Sequence, residues 1–572
     1  MGFPYLRLLP IALVGVSLGG CAGVKQQAGQ SGTGGTGGRS TATGGSSVNA
    51  TGGAGASVVT PVDAATIMPI TDFPPDPIFD GTAPASSATL FTTATRGSGA
   101  PCLVSPQDGT LMPRNWLRPQ FAYNRSADEN LYEITLTVAA FAHPLVIYTS
   151  NASYTLDATI WNGLRVSVNG QPIAVSIRAL TLSGTGTVQN PPSAPATASF
   201  TIAPVDAPGK IVYWANPGGT TDGDGFLRGF GIGEESVEDV LQGSQVSAAA
   251  RNTTTDTCIG CHSATPDGLS VGFVFGPPES MIGLDTYYDT VVDIQQTTLG
   301  SPPGYMTTAA MAVVRGLRGI PAYSKSHWTA GDRIELLTDA NNNGTLYWVS
   351  LDSATGAMGT IARTGDAGGA TEPSFSHDGT KIVYVSSAAS AIHDGRLNTG
   401  PADLYLVPYA ACAGGTATAL KGAADGTNIH YYPAFSPDDA YVAFTYATGN
   451  ATAYSNPSAE IYVISAAGGQ ATRFAANDPP ACSGEGRSPG ITNDWTKWSP
   501  EATLGSDGTT YYWVTFSSTR TGVPQLYVAP MTVTGGTVNA GYPALYLWNQ
   551  PATEHNHTPS WDDYQIPPII ID

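Results

Sequence analysis

The sequence predicts an all-β chain built from an N-terminal antiparallel β-sandwich and a C-terminal six-bladed β-propeller. Two observations lead there. From Cys102 to Pro204 apolar and polar residues alternate in short runs punctuated by turn residues, which is the period of half-buried strands. From about Gly209 a degenerate unit then recurs at intervals of roughly 45 to 65 residues, the mark of a repeat architecture.

Residues 1–21 read as an export signal, with Arg7 as a modest positive charge, an apolar run from Leu8 to Leu18, and Leu18-Gly19-Gly20-Cys21 at the end. That ending resembles a bacterial lipobox. The resemblance implies cleavage ahead of Cys21, diacylglycerol on its sulfur, and attachment to a membrane through the lipid. A plain secretory signal is the alternative, the apolar run being short for a bilayer span. Ala22 stands where an enterobacterial lipoprotein kept at the inner membrane would carry Asp, so the resemblance implies an extracytoplasmic place at the outer membrane. Residues 22–99 read as a tether, because the stretch from Lys25 to Val59 is rich in Gly, Ser, Thr and Ala and has hardly any large apolar residue. Such a segment buries no core.

A net charge of −20 with only 12% charged residues excludes binding to nucleic acid by phosphate neutralisation. A redox partner would present a basic face to it. Solubility alone is the other reading of the acidity.

The sandwich is placed at residues 100–205. Its expected strands are Leu131 to Val138, Leu145 to Thr149, Leu164 to Val168, Ile173 to Leu182 and Ala198 to Ile202, with turns at Val168-Asn169-Gly170 and Leu182-Ser183-Gly184. The pattern resembles an immunoglobulin or fibronectin-type domain, and nothing in it has catalytic spacing.

The repeat fills residues 206–572. Its clearest copies are Ser374-Phe375-Ser376-His377-Asp378-Gly379 running into Lys381 to Tyr384, and Ala434-Phe435-Ser436-Pro437-Asp438-Asp439 running into Tyr441 to Phe444. Weaker copies are His327-Trp328 to Ile334, Lys497-Trp498-Ser499-Pro500 and Pro559-Ser560-Trp561-Asp562. Each joins a strand ending in aromatic-Ser to a tight turn and a second apolar strand. A later strand carries Tyr, as in Leu404-Tyr405-Leu406, Ile461-Tyr462-Val463 and Leu526-Tyr527-Val528. These units resemble the β-propeller repeats of the TolB family over roughly residues 209 to 572. A sixth copy is Ser263 to Gly268 with Leu269 to Phe273. Gly209 to Trp214 reads as a strand that completes the last blade, and Glu234 to Gln242 reads as a short helix.

Cys258-Ile259-Gly260-Cys261-His262, just ahead of the sixth copy, carries the chemistry. Two thiols two residues apart can add across the vinyl groups of one haem, and the following imidazole can take the iron. The spacing therefore predicts a covalent haem c on Cys258 and Cys261 with His262 as proximal ligand. A Cys-x-x-Cys disulfide and a zinc site remain open, although a βαβ context for the first and a second ligand pair for the second are lacking. In propellers of the resembled kind the first strand of each blade lies nearest the axis, which would put the haem near the mouth of the axial channel. His557, two residues before Pro559, shares strand parity with His262 and is the candidate distal ligand, with His555 beside it. His327, His430, Met281, Met306 and Met311 are weaker choices.

Cys412 and Cys482 each follow a Tyr-bearing strand of consecutive blades, so a disulfide between them is expected, leaving Cys102 odd. Asp339-Ala340-Asn341-Asn342-Asn343-Gly344 matches the first half of a calcium loop, but Ser350 occupies its last position. A hairpin turn is the better reading and calcium the lesser one. These features point to a lipid-anchored mono-haem c-type protein for electron transfer or redox sensing, with a redox or envelope protein as partner. Its rivals are a peroxidase-like haem enzyme and a TolB-like binding scaffold.

Overall fold

The computed structural model describes residues 68–92, 98–125, 128–217, 225–277, 287–339, 344–388, 392–393, 396–397, 400–449, 455–484 and 486–566. Cys21, the export signal, Met281 and the loop at 340–343 lie outside them. No helix among the described residues is long and apolar enough to cross a membrane.

The chain is all-β. Its N-terminal part has one large sheet in the order Ile78–Asp80, Leu145–Thr149, Leu131–Val138, Pro172–Leu182, Ala196–Ile202, Thr110–Met112, and a smaller sheet of Cys102–Ser105, Gln120–Asn124 and Ser153–Thr155. The alternation read from the sequence builds the large sheet: Ile173, Val175 and Ile177 point inward beside Ile134, Leu136 and Ile147. Leu103, Phe121 and Tyr123 of the smaller sheet face the same core. Each such side chain contributes about 1.5–3 kcal/mol by leaving water.

Three expectations for this part are corrected. Leu164 to Val168 is not a strand but lies in and just beyond the helix Ala158–Ser167, whose start is capped by Asp157 accepting from the Thr159 and Ile160 amides at 2.8 and 3.2 Å. Spacing three residues apart, Trp161 and Leu164, packs that helix on the core, and the cap is the signal that outweighs Val168. The tether does not extend to residue 99. Ile78–Asp80 adds a parallel strand to the large sheet, and Phe73 and Phe91 are buried. The Cys412–Cys482 pairing is replaced by Cys102–Cys482, with Cα atoms 5.5 Å apart across 380 residues of sequence. It ties the smaller N-terminal sheet to a loop of the C-terminal region, and Asn124 of that sheet also donates to the Ser483 carbonyl.

The C-terminal part is propeller-like. Its sheets are Cys258–Ala264 with Ser270–Gly276 and Tyr288–Asp293; Arg318–Ala322 with Ile334–Asp339, Thr345–Ser350 and Met358–Thr360; and Gly369–Phe375 with Lys381–Ser387 and Ala402–Pro408. Then come Ile429–Phe435 with Tyr441–Ala447 and Glu460–Ser465, and Asn493–Trp498 with Thr509–Ser518 and Gln525–Thr534. The final strand, His555–Asp562, turns back to pair antiparallel with Lys210–Asn216, which continues into Phe226–Gly231 and Glu238–Leu241. Gly209 to Trp214 is thus the strand its sequence suggested. The expected helix at Glu234 to Gln242 is instead the edge strand Glu238–Leu241, because pairing with Phe226–Gly231 satisfies its backbone.

The repeated turn has a chemical cause. The hydroxyls of Thr265, Ser376 and Ser436 each donate to the Asp two residues on, at 2.7 Å, and the turn ends in a positive φ at Gly268, Gly379 and Asp439. The copy assigned to His327–Ile334 is corrected: the strand is Arg318–Ala322, and Lys325–Thr329 is a short helix where the turn would be. The calcium-like segment joins Ile334–Asp339 to Thr345–Ser350, an antiparallel hairpin pair.

We expect peptide mapping of the unreduced protein to find Cys102 joined to Cys482 and no peptide joining Cys412 to Cys482. Cys102→Ser should lower stability by about 2–5 kcal/mol, read as an earlier denaturant midpoint.

Candidate functional site

One irregularity recurs in every first strand of the C-terminal sheets. Register slips between Ile259 and His262, Arg318 and Ala322, Thr371 and Ser374, Tyr431 and Ala434, and Asp494 and Lys497, and opposite Val212 and Trp214 for the last strand. At four of these bulges a non-glycine residue has a left-handed backbone: Glu372 (φ 52), Tyr432 (φ 50), Trp495 (φ 63) and Thr558 (φ 44). Such conformations cost of order 1–3 kcal/mol each and persist where the surroundings enforce them. Cys261 and Ile320 hold the matching places, four residues ahead of the turn residues Thr265 and Ser324.

The bulge decides what the Cys-x-x-Cys-His run presents. Cys258 pairs with Gly276, Ile259 with Phe275 and His262 with Phe273, so two bulged residues oppose Val274. Both thiols therefore lie on one face, where Cys258, Val274 and Tyr287 cluster with Cys261. His262 and Ile259 lie on the other, with Phe273 and Phe275. Cys261 also packs against the apolar cluster that holds the bulge residues Ile320, Tyr432 and Trp495.

His262 is fully buried, its Nε2 3.2 Å from the Val212 carbonyl, and burial lowers its pKa to about 4. The nitrogen that would take iron is spent on the strand Lys210–Asn216, and the ring faces away from the thiols. The two thiols fit thioether attachment of a haem; His262, in this arrangement, does not fit as its proximal ligand.

Around Cys261 the bulges gather a polar cluster. The Tyr432 amide donates to Glu372 Oε2 at 2.7 Å, the Tyr432 ring lies 4.2 Å from Trp495 and 4.7 Å from Tyr431, and His557 Nε2 is 3.4 Å from Asp494 Oδ1. Among the described residues, Tyr431 Oη, Tyr432 Oη, both Asp494 oxygens, Trp495 Nε1 and Thr558 Oγ1 are buried with no hydrogen bond. Each such atom costs about 1–3 kcal/mol when nothing satisfies it, so their convergence marks a place for a polar occupant. Burial lowers the Lys497 pKa against the opposing pull of Cys261, Glu372 and Asp562. Asp562 is itself pushed up to about 6, mainly by burial. A cavity of about 140 Å³ beside Lys497 is lined by Ser263, Pro321, Ser374, Ser560 and Asp562, smaller than the roughly 300 Å³ at which drug-sized pockets begin.

His557 is buried in this cluster, with its ring 6.4 Å from that of Trp495. His555 is partly exposed, and burial lowers its pKa. His327 is held by Gly379 and Asp332, and Met311 receives the Thr290 hydroxyl at 3.7 Å. Met306 packs in two apolar clusters near the Cys258 sheet.

Sequence reasoning missed Glu372, Tyr432, Asp494 and Lys497. It also missed a buried acid pair beside the Cys258 sheet, in which Tyr323 donates to Glu335 at 2.6 Å. Burial pushes Glu335 up to about 8 and Asp289 well above the carboxylate range. The available signal for the bulge residues was their place four ahead of each turn residue.

No family model and no curated protein matches the chain. Among solved structures, a putative TolB from Agrobacterium tumefaciens is similar at 18% identity and a TM-score of 0.23, over 42% of this chain and 88% of that one. An oligogalacturonate lyase in complex with manganese is similar at 13% identity and a TM-score of 0.29, over 57% and 72%. An endo-arabinase from Bacteroides thetaiotaomicron gives 14% and 0.23, over 40% and 79%. These likenesses concern the fold, and no functional argument rests on them.

Because the folded His262 pKa lies below the ordinary 6.5, its neutral form contributes stability that is complete above pH 6.5 and is lost as pH falls toward 4. Denaturant unfolding at a series of pH values should show that decline, with a shallower slope for His262→Gln.

Proposed function

We propose that this chain is an extracytoplasmic protein, anchored through lipid on Cys21, that carries one haem c through thioether bonds from Cys258 and Cys261 and serves electron transfer or redox sensing. The observation that carries the reading is the bulge at Gly260 and Cys261, which turns two thiols to one face beside a cluster of buried, unsatisfied polar atoms. A bound haem supplies one-electron chemistry. The residues of this chain would hold it through Cys258 and Cys261, exclude water from it, and offer His557 as a further ligand. A tight apolar wall of Phe273, Phe275 and Val271 stiffens the attachment strand.

The proposal includes a six-bladed TolB-like propeller, closed by His555–Asp562, behind an immunoglobulin-like sandwich. The six bulged strands and the two N-terminal sheets over one core support it. A redox partner with a basic face, or an envelope protein, suits the charge of −20.

One observation favours a second reading. With His262 turned from the thiols, Cys258 and Cys261 could serve as a plain dithiol on a TolB-like binding scaffold.

Protein exported with c-type maturation machinery should give a pyridine haemochrome of one haem per chain and a haem-stained band on a denaturing gel. Both should vanish in Cys258→Ala with Cys261→Ala. His557→Ala should alter the visible spectrum while leaving the haem attached. Absence of covalent haem in the parent chain would overturn the proposal and leave the dithiol scaffold.

A further inference from the structure

We infer that Asp403, Asp425 and His430 form a site for one divalent transition-metal ion, with Zn²⁺ as its best fit. It lies at the junction where Ala402–Pro408 meets Ile429–Phe435 through the parallel pair Ala402 and Ile429, away from the Cys258–Cys261 thiols. The site does not depend on the haem reading.

His430 is 3% exposed, and its Nδ1 lies 3.1 Å from the Ala402 carbonyl oxygen. A carbonyl only accepts, so Nδ1 carries the hydrogen, and in the neutral imidazole Nε2 presents a lone pair. That lone pair faces Asp425 Oδ2 at 4.0 Å, too far for a hydrogen bond and with the wrong partner for one. Asp403 Oδ1 lies 3.8 Å from Nδ1 of the same ring, and one ligand atom from each of the three residues falls within 4.8 Å of the others. Two ligands of one tetrahedral Zn²⁺, at about 2.0–2.2 Å each, stand about 3.4 Å apart. A cation between them therefore needs the two carboxylates to close by about 1 Å.

The surroundings are those of a held site. An Nδ1–H bonded to a backbone carbonyl is how metal-binding histidines are commonly oriented. Asp425 is fixed by the Thr427 and Asn428 amides at 2.9 Å and by Asn428 Nδ2 at 2.7 Å, and Asp403 accepts the Gly426 amide at 3.0 Å. The rings of Phe444 and Tyr446 flank the imidazole at 5.8 and 5.4 Å. Two carboxylates and one neutral imidazole carry two negative charges, which a divalent ion neutralises. An imidazole nitrogen among the ligands favours zinc over calcium and magnesium.

The test uses the full chain in a Cys258→Ser/Cys261→Ser background, so that zinc on the thiols cannot contribute, stripped with chelator and titrated with Zn²⁺ by calorimetry. One ion per chain is expected, with a higher unfolding temperature once it is bound. Asp425→Asn can still accept from the Thr427 and Asn428 amides through its one oxygen and removes the charge; it should weaken binding at least tenfold, as should His430→Gln. The absence of saturable uptake, or an affinity unchanged in Asp425→Asn, would overturn the site.

Discussion

The pairing of His555–Asp562 with Lys210–Asn216 is the constraint on which the C-terminal region rests. It joins residues some 350 positions apart, so its loop-closure entropy is repaid only once the intervening sheets are in place. It also removes an exposed edge that would otherwise invite association. The same strand carries His557 and Thr558 into the polar cluster and passes Trp561 to the core shared with the N-terminal sheets. Closure, the candidate site and the seating of the N-terminal region therefore stand or fall together.

The bulges are held by the ladders on either side of them. A left-handed Glu372, Tyr432, Trp495 or Thr558 is tolerated because the flanking ladder pairs on both sides and leaves the backbone no alternative. The gain is direction: a side chain that regular pleating would send into the sheet stack is turned toward its counterparts. Cys261 is one such side chain, which is why it packs against the cluster holding Tyr432 and Trp495 while His262 lies on the other face. Low dielectric among these groups then explains the lowered Lys497 and the raised Asp562.

Much of the architecture was legible. Alternation over Leu131–Val138 and Pro172–Leu182, and the Ser-x-Asp turns at Ser376 and Ser436, follow from local chemistry that a sequence displays. Where local signals competed, tertiary context decided. Val168 has strand propensity, yet Asp157 caps a helix ahead of it; Glu238–Leu241 suits a helix, yet an open edge beside Phe226–Gly231 claims it. The Cys102–Cys482 bond was beyond reach, because its two halves lie in regions with no periodic relation.

The sequence by itself determined the all-β character, the repeat, and the two thiols spaced to share one reactive group, because each is a property of neighbouring residues. Only the tertiary structure decided that the bulge splits His262 from those thiols, that Glu372, Tyr432, Asp494 and Lys497 converge on Cys261, and that His430 meets Asp403 and Asp425. The physical reason is register. One extra residue in a strand reverses which face a side chain occupies, and only the completed ladder determines where that residue is accommodated.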